Sequence, residues 1–241
     1  MRLSVVIPAF NEERLLPATL RAVDDSLAPV HAAGWSSEVI VTDNNSTDGT
    51  ARVACEAGAR VVFEPVNMIA RARNAGAAAA TGDWLVFVDA DSSPSPGLMA
   101  AMLRSIQSGR CYAGGSTVRL DGGGWAAGAV AAGWNLVSRV TRLPAGSFYF
   151  VDAAVFRDVG GFPAELYAAE EIELSRRLRR SPLARGRRRV ILGSHPLVTS
   201  ARKVSLYGPG ELLGFSLRAL LRPRATLQRR ESCAIWYDGR R

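Results

Sequence analysis

Trp84-Leu85-Val86-Phe87-Val88-Asp89-Ala90-Asp91 decides how the rest of the chain is read. Five apolar residues, two of them β-branched and two aromatic, form a run too short for a helix and suited to a buried strand. That strand delivers two carboxylates, two residues apart, into a loop. Upstream the same alternation recurs. Residues 3–7 read as a strand ended by Pro8, and 12–27 as a helix with Leu15, Leu16, Leu20 and Val23 at helical spacing. Pro17 sits in its first turns, where proline is tolerated. Then come a strand at 38–42, a helix at 47–57, a strand at 59–63 and an Ala-rich helix at 70–80. A helix at 96–107 follows the acidic pair. Four strand–helix alternations predict an α/β chain with a parallel sheet covered by helices. Ligands of such sheets bind beyond the carboxyl ends of the strands. Three polar clusters lie at those ends: Asn11-Glu12, Asp43-Asn44-Asn45-Ser46 and Asp89-Ala90-Asp91.

The second half is less regular. Strands are expected at 111–120, 148–156 and 189–192, helices at 125–141 and 169–180, and a turn at Gly160-Gly161-Phe162-Pro163. An amphipathic helix at 207–221 closes at Pro223. The expected organisation is one domain, 1–205, with a basic amphipathic helical C-terminal extension, 206–241. The net charge of +8 favours anionic partners: a nucleotide diphosphate, a lipid phosphate, a membrane surface or a nucleic acid. The last is the weakest, because basic and aromatic residues do not interleave and no reader motif is present. Cys55, Cys111 and Cys233 are odd in number and far apart, which argues against a disulfide framework and a structural zinc site and fits a reducing cytoplasm. The first apolar run is too short for a signal peptide. The small, apolar stretch at 125–137 falls short of the roughly 20 residues that span a bilayer.

Four constellations carry chemistry. Asp89 and Asp91 are hard oxygen donors of the kind that hold Mg²⁺ or Mn²⁺ against diphosphate oxygens, though an acidic turn with Asp91 as helix cap fits the same residues. Asp43 ends a strand where a base or ribose is within reach, whereas Asp48 suits capping of the next helix. Arg71 and Arg73, near a helix start, suit diphosphate contact, and one of the two fits a solvated surface equally well. Glu170, Glu171 and Glu173 cluster at a helix N-terminus, which favours their ionised form; dipole compensation suffices for Glu173. Two basic runs, Arg185 to Arg189 and Arg218 to Arg230, read either as a solvated face or as attraction to anionic lipid or a phosphorylated acceptor.

In this order and spacing, Ser4–Glu12, Asp43 with Ser46–Thr50, Arg73–Gly76, Asp89-Ala90-Asp91 and Gly160-Gly161-Phe162 followed by Glu170–Leu178 resemble an inverting family-2 glycosyltransferase of the GT-A fold. The resemblance implies a Rossmann-like, mostly parallel central sheet flanked by helices and a nucleotide-diphosphate-sugar donor. It implies that Pro8, Ala9, Phe10, Asn11, Glu12 and Asp43 line the nucleotide pocket and that Asp89, Ala90 and Asp91 form the D-x-D element, with Asp91 the metal ligand. Arg73 would join the donor site, and Arg202 and Lys203, in a segment like the mobile one of relatives, would reach the diphosphate. Glu171 takes the catalytic-base position, with Glu170 its alternative; the family's usual Glu-Asp is Glu-Glu here. His195 is either a third metal ligand or a surface residue beside a proline. The partner set is completed by an acceptor hydroxyl, lipid-linked or not, and peripheral contact with the inner membrane face. Two other readings remain. A sugar nucleotidyltransferase would carry a Gly-rich basic loop where Pro8–Glu12 stands, and a non-catalytic nucleotide-sugar binder would not need Asp89, Asp91 and Glu171 intact.

Overall fold

The computed structural model describes residues 1–122, 124–202, 206 and 226–233. Strands β1 (Arg2–Ala9), β2 (Ser36–Asp43), β3 (Arg60–Phe63), β4 (Trp84–Val88), β5 (Ser92–Ser93), β6 (Cys111–Asp121), β7 (Phe148–Asp152) and β8 (Arg188–Ser200) form one sheet. Its order is β3-β2-β1-β4-β7-β6-β8-β5. The four strands expected from the first half are mutually parallel, with β1 between β2 and β4. β7 then runs antiparallel to both β4 and β6, while β6 and β8 are parallel. The sheet is therefore mixed beyond β4, as the less regular second half of the sequence foreshadowed.

Helices α1 (Leu16–Ser26), α2 (Ala28–Ala32), α3 (Thr50–Glu56), α4 (Ile69–Ala79), α5 (Pro96–Gln107), α6 (Gly124–Thr141), α7 (Ala153–Asp158) and α8 (Glu170–Arg180) cover the sheet. Strand alternation sorts the core into two layers. Leu3, Val5, Ile7, Trp84, Val86, Val88, Phe148 and Phe150 face one side and pack with Leu16, Leu20, Val23, Leu98 and Met102 of α1 and α5. Val6, Leu85, Phe87, Tyr149 and Val151 face the other and pack with Ala70 and Ala77 of α4, Val155 of α7 and Leu174 of α8. At Gly76 an added Cβ would come within 2.4 Å of Val6 and 2.6 Å of Thr42, so only glycine lets α4 lie this close to β1 and β2.

Several expectations need correction. The helix expected at 12–27 begins at Leu16, after a turn in which Leu15 and Leu16 N–H groups bond the Glu12 carbonyl. The strand expected at 148–156 stops at Asp152, whose carboxylate accepts from the Ala154 and Val155 N–H groups and caps α7. The short strand at 189–192 continues to Ser200. Its register against β6 jumps from Ser116↔Leu192 to Val118↔Leu197, so Gly193-Ser194-His195-Pro196 bulge out and Pro196 costs the ladder no hydrogen bond. The amphipathic helix expected at 207–221 lies outside the described residues. Of the extension, Leu227 and Cys233 pack against Tyr167 and Ala168 of the domain, and the Leu227 carbonyl accepts from Tyr167 N–H at 2.7 Å.

Candidate active site

The carboxyl ends of β1, β2 and β4 gather the expected clusters. Asn11, in a left-handed conformation (φ 53°), donates its N–H to Ser46 Oγ at 3.0 Å, and its Oδ1 accepts from Thr47 N–H at 2.8 Å. Glu12 N–H bonds Thr50 Oγ1 at 2.8 Å. The first loop is thus stitched to the β2–α3 turn. Asp43 is buried and its Oδ1 accepts from Ser46 N–H at 3.0 Å. Asp48 takes the Thr50 N–H and hydroxyl; burial alone would raise its pKa, and those hydrogen bonds bring it below the usual value. Asn44, which the sequence reading left without a role, accepts from Met68 N–H (2.9 Å) and donates to the Val66 carbonyl (2.6 Å), setting the start of α4. Pro8 and Ala9 are buried at the end of β1, and the Ala90 carbonyl accepts the Thr19 hydroxyl at 2.8 Å.

A cleft of about 250 Å³ opens beyond β4. Asp89, Asp91, Glu170 and Glu171 all line it, together with Gly146, Ser147, Thr199 and Ser200. Arg73 ties the two acidic pairs together. Its guanidinium donates to Glu170 Oε1 at 2.5 Å, to Asp89 Oδ1 at 2.9 Å and to the Gly146 carbonyl at 2.9 Å. It also stacks over Phe162, 5.3 Å from the ring centroid. At 2% exposure Arg73 is held in this network, and it also lines the cleft where the donor is expected. Arg71 pairs instead with Glu64 at the surface. Asn74 is a second residue whose role was not foreseen: it donates to the Phe162 carbonyl and accepts from Phe162 N–H, both at 2.9 Å. That clamp fixes the Gly160-Gly161-Phe162 turn against α4, and Phe162 in turn seats Arg73.

α8 begins after Ala169, a non-glycine residue in the left-handed region (φ 59°) with no side-chain cap. Glu170 turns inward to Arg73 and is 4% exposed, whereas half-buried Glu171 faces the cleft. Burial, and next the neighbouring Glu170 charge, push the Glu171 carboxyl up to about 8. Arg73 and the Glu171 backbone N–H oppose that rise and lose. The expectation that the helix start would prevail and hold Glu171 ionised is therefore reversed: desolvation and like charge outweigh it. Glu173 pairs with Arg176 and Arg177 outside the cleft, as helix-end compensation predicts.

Arg202 stands between the two halves of the edge. It donates to both Glu12 oxygens, at 2.7 and 3.2 Å, and to Asp91 Oδ2 at 3.3 Å. Thr199 Oγ1 lies 3.4 Å from Asp91 Oδ1. Lys203 lies outside the described residues. His195 is exposed on the β8 bulge with its ring against Gly97, where an added Cβ would meet Nδ1 at 2.6 Å. It does not line the cleft, and among the described residues no group of three or more His, Cys, Asp or Glu side chains is arranged to hold a metal. The bulge places the His195 ring against α5.

A mixed sheet with paired carboxylates at this edge is the architecture of GT-A enzymes, and residues 4–157 match the model of glycosyl transferase family 2. The chain belongs to that family. It is 37% identical over 145 residues to an uncharacterized glycosyltransferase of Mycobacterium tuberculosis, a match covering 58% of this chain and 62% of the relative. The glucosyl-3-phosphoglycerate synthase of M. tuberculosis, crystallised with Mn²⁺, uridine diphosphate and glucosyl-3-phosphoglycerate, superposes with a TM-score of 0.60 at 28% identity, over 94% of this chain and 81% of that one. A mannosyltransferase of Pyrobaculum calidifontis, in complex with GDP-mannose and Mn²⁺, shares the fold with a TM-score of 0.68 at 19% identity, over 91% and 61% of the two chains.

Proposed function

We propose that this protein is a hexosyltransferase that moves a sugar from a nucleotide-diphosphate donor to an acceptor hydroxyl in one inverting, metal-dependent displacement. The observation that supports it most is the cleft lined by both Asp91 and Glu171 in a family-2 chain. The stitched first loop, Pro8 to Glu12, and buried Asp43 hold the nucleotide. Asp89 and Asp91 present hard oxygens beside the Thr199 hydroxyl, a donor set that fits Mn²⁺ or Mg²⁺. Asp91 would be the direct ligand, because Asp89 already answers to Arg73. Such an ion neutralises the charge that grows on a leaving diphosphate. The Mn²⁺ in the two solved relatives supports this reading. Arg202, whose planar fork suits phosphate oxygens, is the described cation that would meet the diphosphate beside Asp91, and Lys203 extends the same segment.

Glu171 takes the acceptor proton at its carboxylate as the hydroxyl attacks the anomeric carbon. Glu170 and Arg73 hold its helix end in place. The acceptor is a hydroxyl, lipid-linked or not, and the basic extension would add attraction to anionic headgroups at the cytoplasmic face of a membrane. The chain spans 62% of the length of the first curated relative it matches, so acceptor and partners are part of the proposal. A panel of UDP- and GDP-sugars tested by thermal shift with and without Mn²⁺ identifies the donor, since a ligand that binds only the folded state raises its melting temperature. Product stereochemistry by NMR then reads the inversion. A folded protein that no nucleotide sugar stabilises, under either condition, contradicts the proposal.

A further inference from the structure

α6 carries an apolar outer face that its role in the core does not explain. Ala127, Ala131 and Ser138 are buried on the side that contacts β6, and the Asn135 side chain bonds both the N–H and the carbonyl of Val118 at 2.8 Å. On the opposite side Trp125 is 88% exposed, Leu136 66% and Val140 76%, with Val130 and Val137 half out. At 3.6 residues per turn Trp125, Ala129, Leu136 and Val140 fall in one outward stripe. Gly128 and Gly133 widen it, since a Cβ at either would meet nothing within 4 Å. A helix with one buried face ordinarily shows polar side chains on the other. α6 has a single charged residue, Arg139, and no acidic one. A contiguous exposed apolar face of this kind marks a contact surface.

We propose that the outer face of α6 lies on an anionic lipid surface and holds the mouth of the cleft at the bilayer. Charge selects this occupant. The charged residues on and just after α6 are Arg139 and Arg142, both exposed and both basic, in a chain of net charge +8. Arginines keep their heads among phosphates while their stems lie along apolar surface, and tryptophan favours the headgroup level. A second copy related by a two-fold axis would set the same arginine rim against itself, which is repulsive. Among the described residues no helix is long and apolar enough to cross a membrane, so α6 lies on the surface without spanning it. Its position gives the contact a purpose. Leu120, just before α6, and Gly146-Ser147, just after it, both line the cleft. The inference names the surface behind the proposed membrane contact but stands on α6 alone, and vesicle binding is read without turnover. Its failure would leave glycosyl transfer standing, and a failure of turnover would leave it standing.

The test is co-sedimentation of the full chain with vesicles of phosphatidylcholine alone or mixed with phosphatidylglycerol, at low and high salt. The protein should pellet with the anionic vesicles and be partly released by salt, because attraction is screened within about 10 Å at 0.1 M. Leu136→Glu with Val140→Glu should weaken binding about tenfold or more while leaving the melting temperature unchanged, since both side chains are solvent-facing. Leu136→Ala with Val140→Ala, the milder pair, should weaken it less. Arg139→Gln with Arg142→Gln should reduce binding to anionic vesicles only. Protein left in the supernatant with both vesicle types overturns the proposal, as does undiminished binding by the glutamate pair. A lower melting temperature in that pair would assign the face to another part of this chain. A dimer in sedimentation velocity that the pair splits would assign it to a second copy.

Discussion

The cleft has two acidic pairs, and they are built alike. Asp89-Ala90-Asp91 leaves a strand and Glu170-Glu171 enters a helix, yet in each pair one member is bound by Arg73 and the other lines the cleft without that bond. Asp89 and Glu170 share one buried guanidinium; Asp91 meets Arg202 and Thr199, and Glu171 carries a pKa of about 8. A single arginine thus neutralises the first carboxylate of each pair, so that two acids can stand close without all four being charged and unpaired. The difference between the pairs lies in what compensates the second member. Asp91 has a cation beside it and suits a metal or a diphosphate, whereas Glu171 has a like charge beside it and suits proton transfer.

The largest expected effect follows from Glu171. Glu171→Gln should lower turnover of the donor by roughly 10²–10⁴-fold, the usual contribution of general base catalysis, with nucleotide affinity kept. Glu170→Gln should do the reverse, costing more stability than turnover, because it strips a partner from buried Arg73; reversed kinetic effects would make Glu170 the base. Arg73→Ala, which leaves Asp89 and Glu170 without their shared cation, should destabilise the fold by about 3–5 kcal/mol, read in urea unfolding. Asp91→Ala, which removes the proposed direct ligand, should abolish the Mn²⁺ dependence of nucleoside-diphosphate binding in calorimetry, with unchanged affinity dismissing the metal assignment. Glu173→Gln, outside the cleft, should change stability by no more than about 0.5 kcal/mol and leave turnover alone.

What the sequence disclosed was the part governed by local pattern. Strands at 3–7, 38–42, 59–63 and 84–88 follow from short β-branched runs, and all four are present in parallel register. The acids at their ends were visible because strand ends in such a sheet are where ligands bind. What escaped notice depends on contacts distant in the chain. Arg73 and Glu170 are 97 residues apart, and no periodicity shows that one neutralises the other. The same holds for Asn74 clamping Phe162 and for Arg202 reaching Glu12 across 190 residues. The strand expected at 189–192 ends before the bulge at 193–196, and only the pairing with β6 shows it resuming beyond. For Glu171 the helix-end argument omits the desolvation that raises its pKa, because burial is set by the fold and not by the local sequence.

The pH dependence of kcat/KM for the identified donor tests the account most directly. A base must be unprotonated to act, and a carboxyl with a pKa near 8 is mostly protonated at pH 6. The rate should therefore climb about tenfold per pH unit at acid pH and level off near pH 8, and Glu171→Gln should remove that rise from the residual activity. A rise that is complete by about pH 5, or one that survives intact in Glu171→Gln, would contradict both the raised pKa and the assignment of Glu171 as the base.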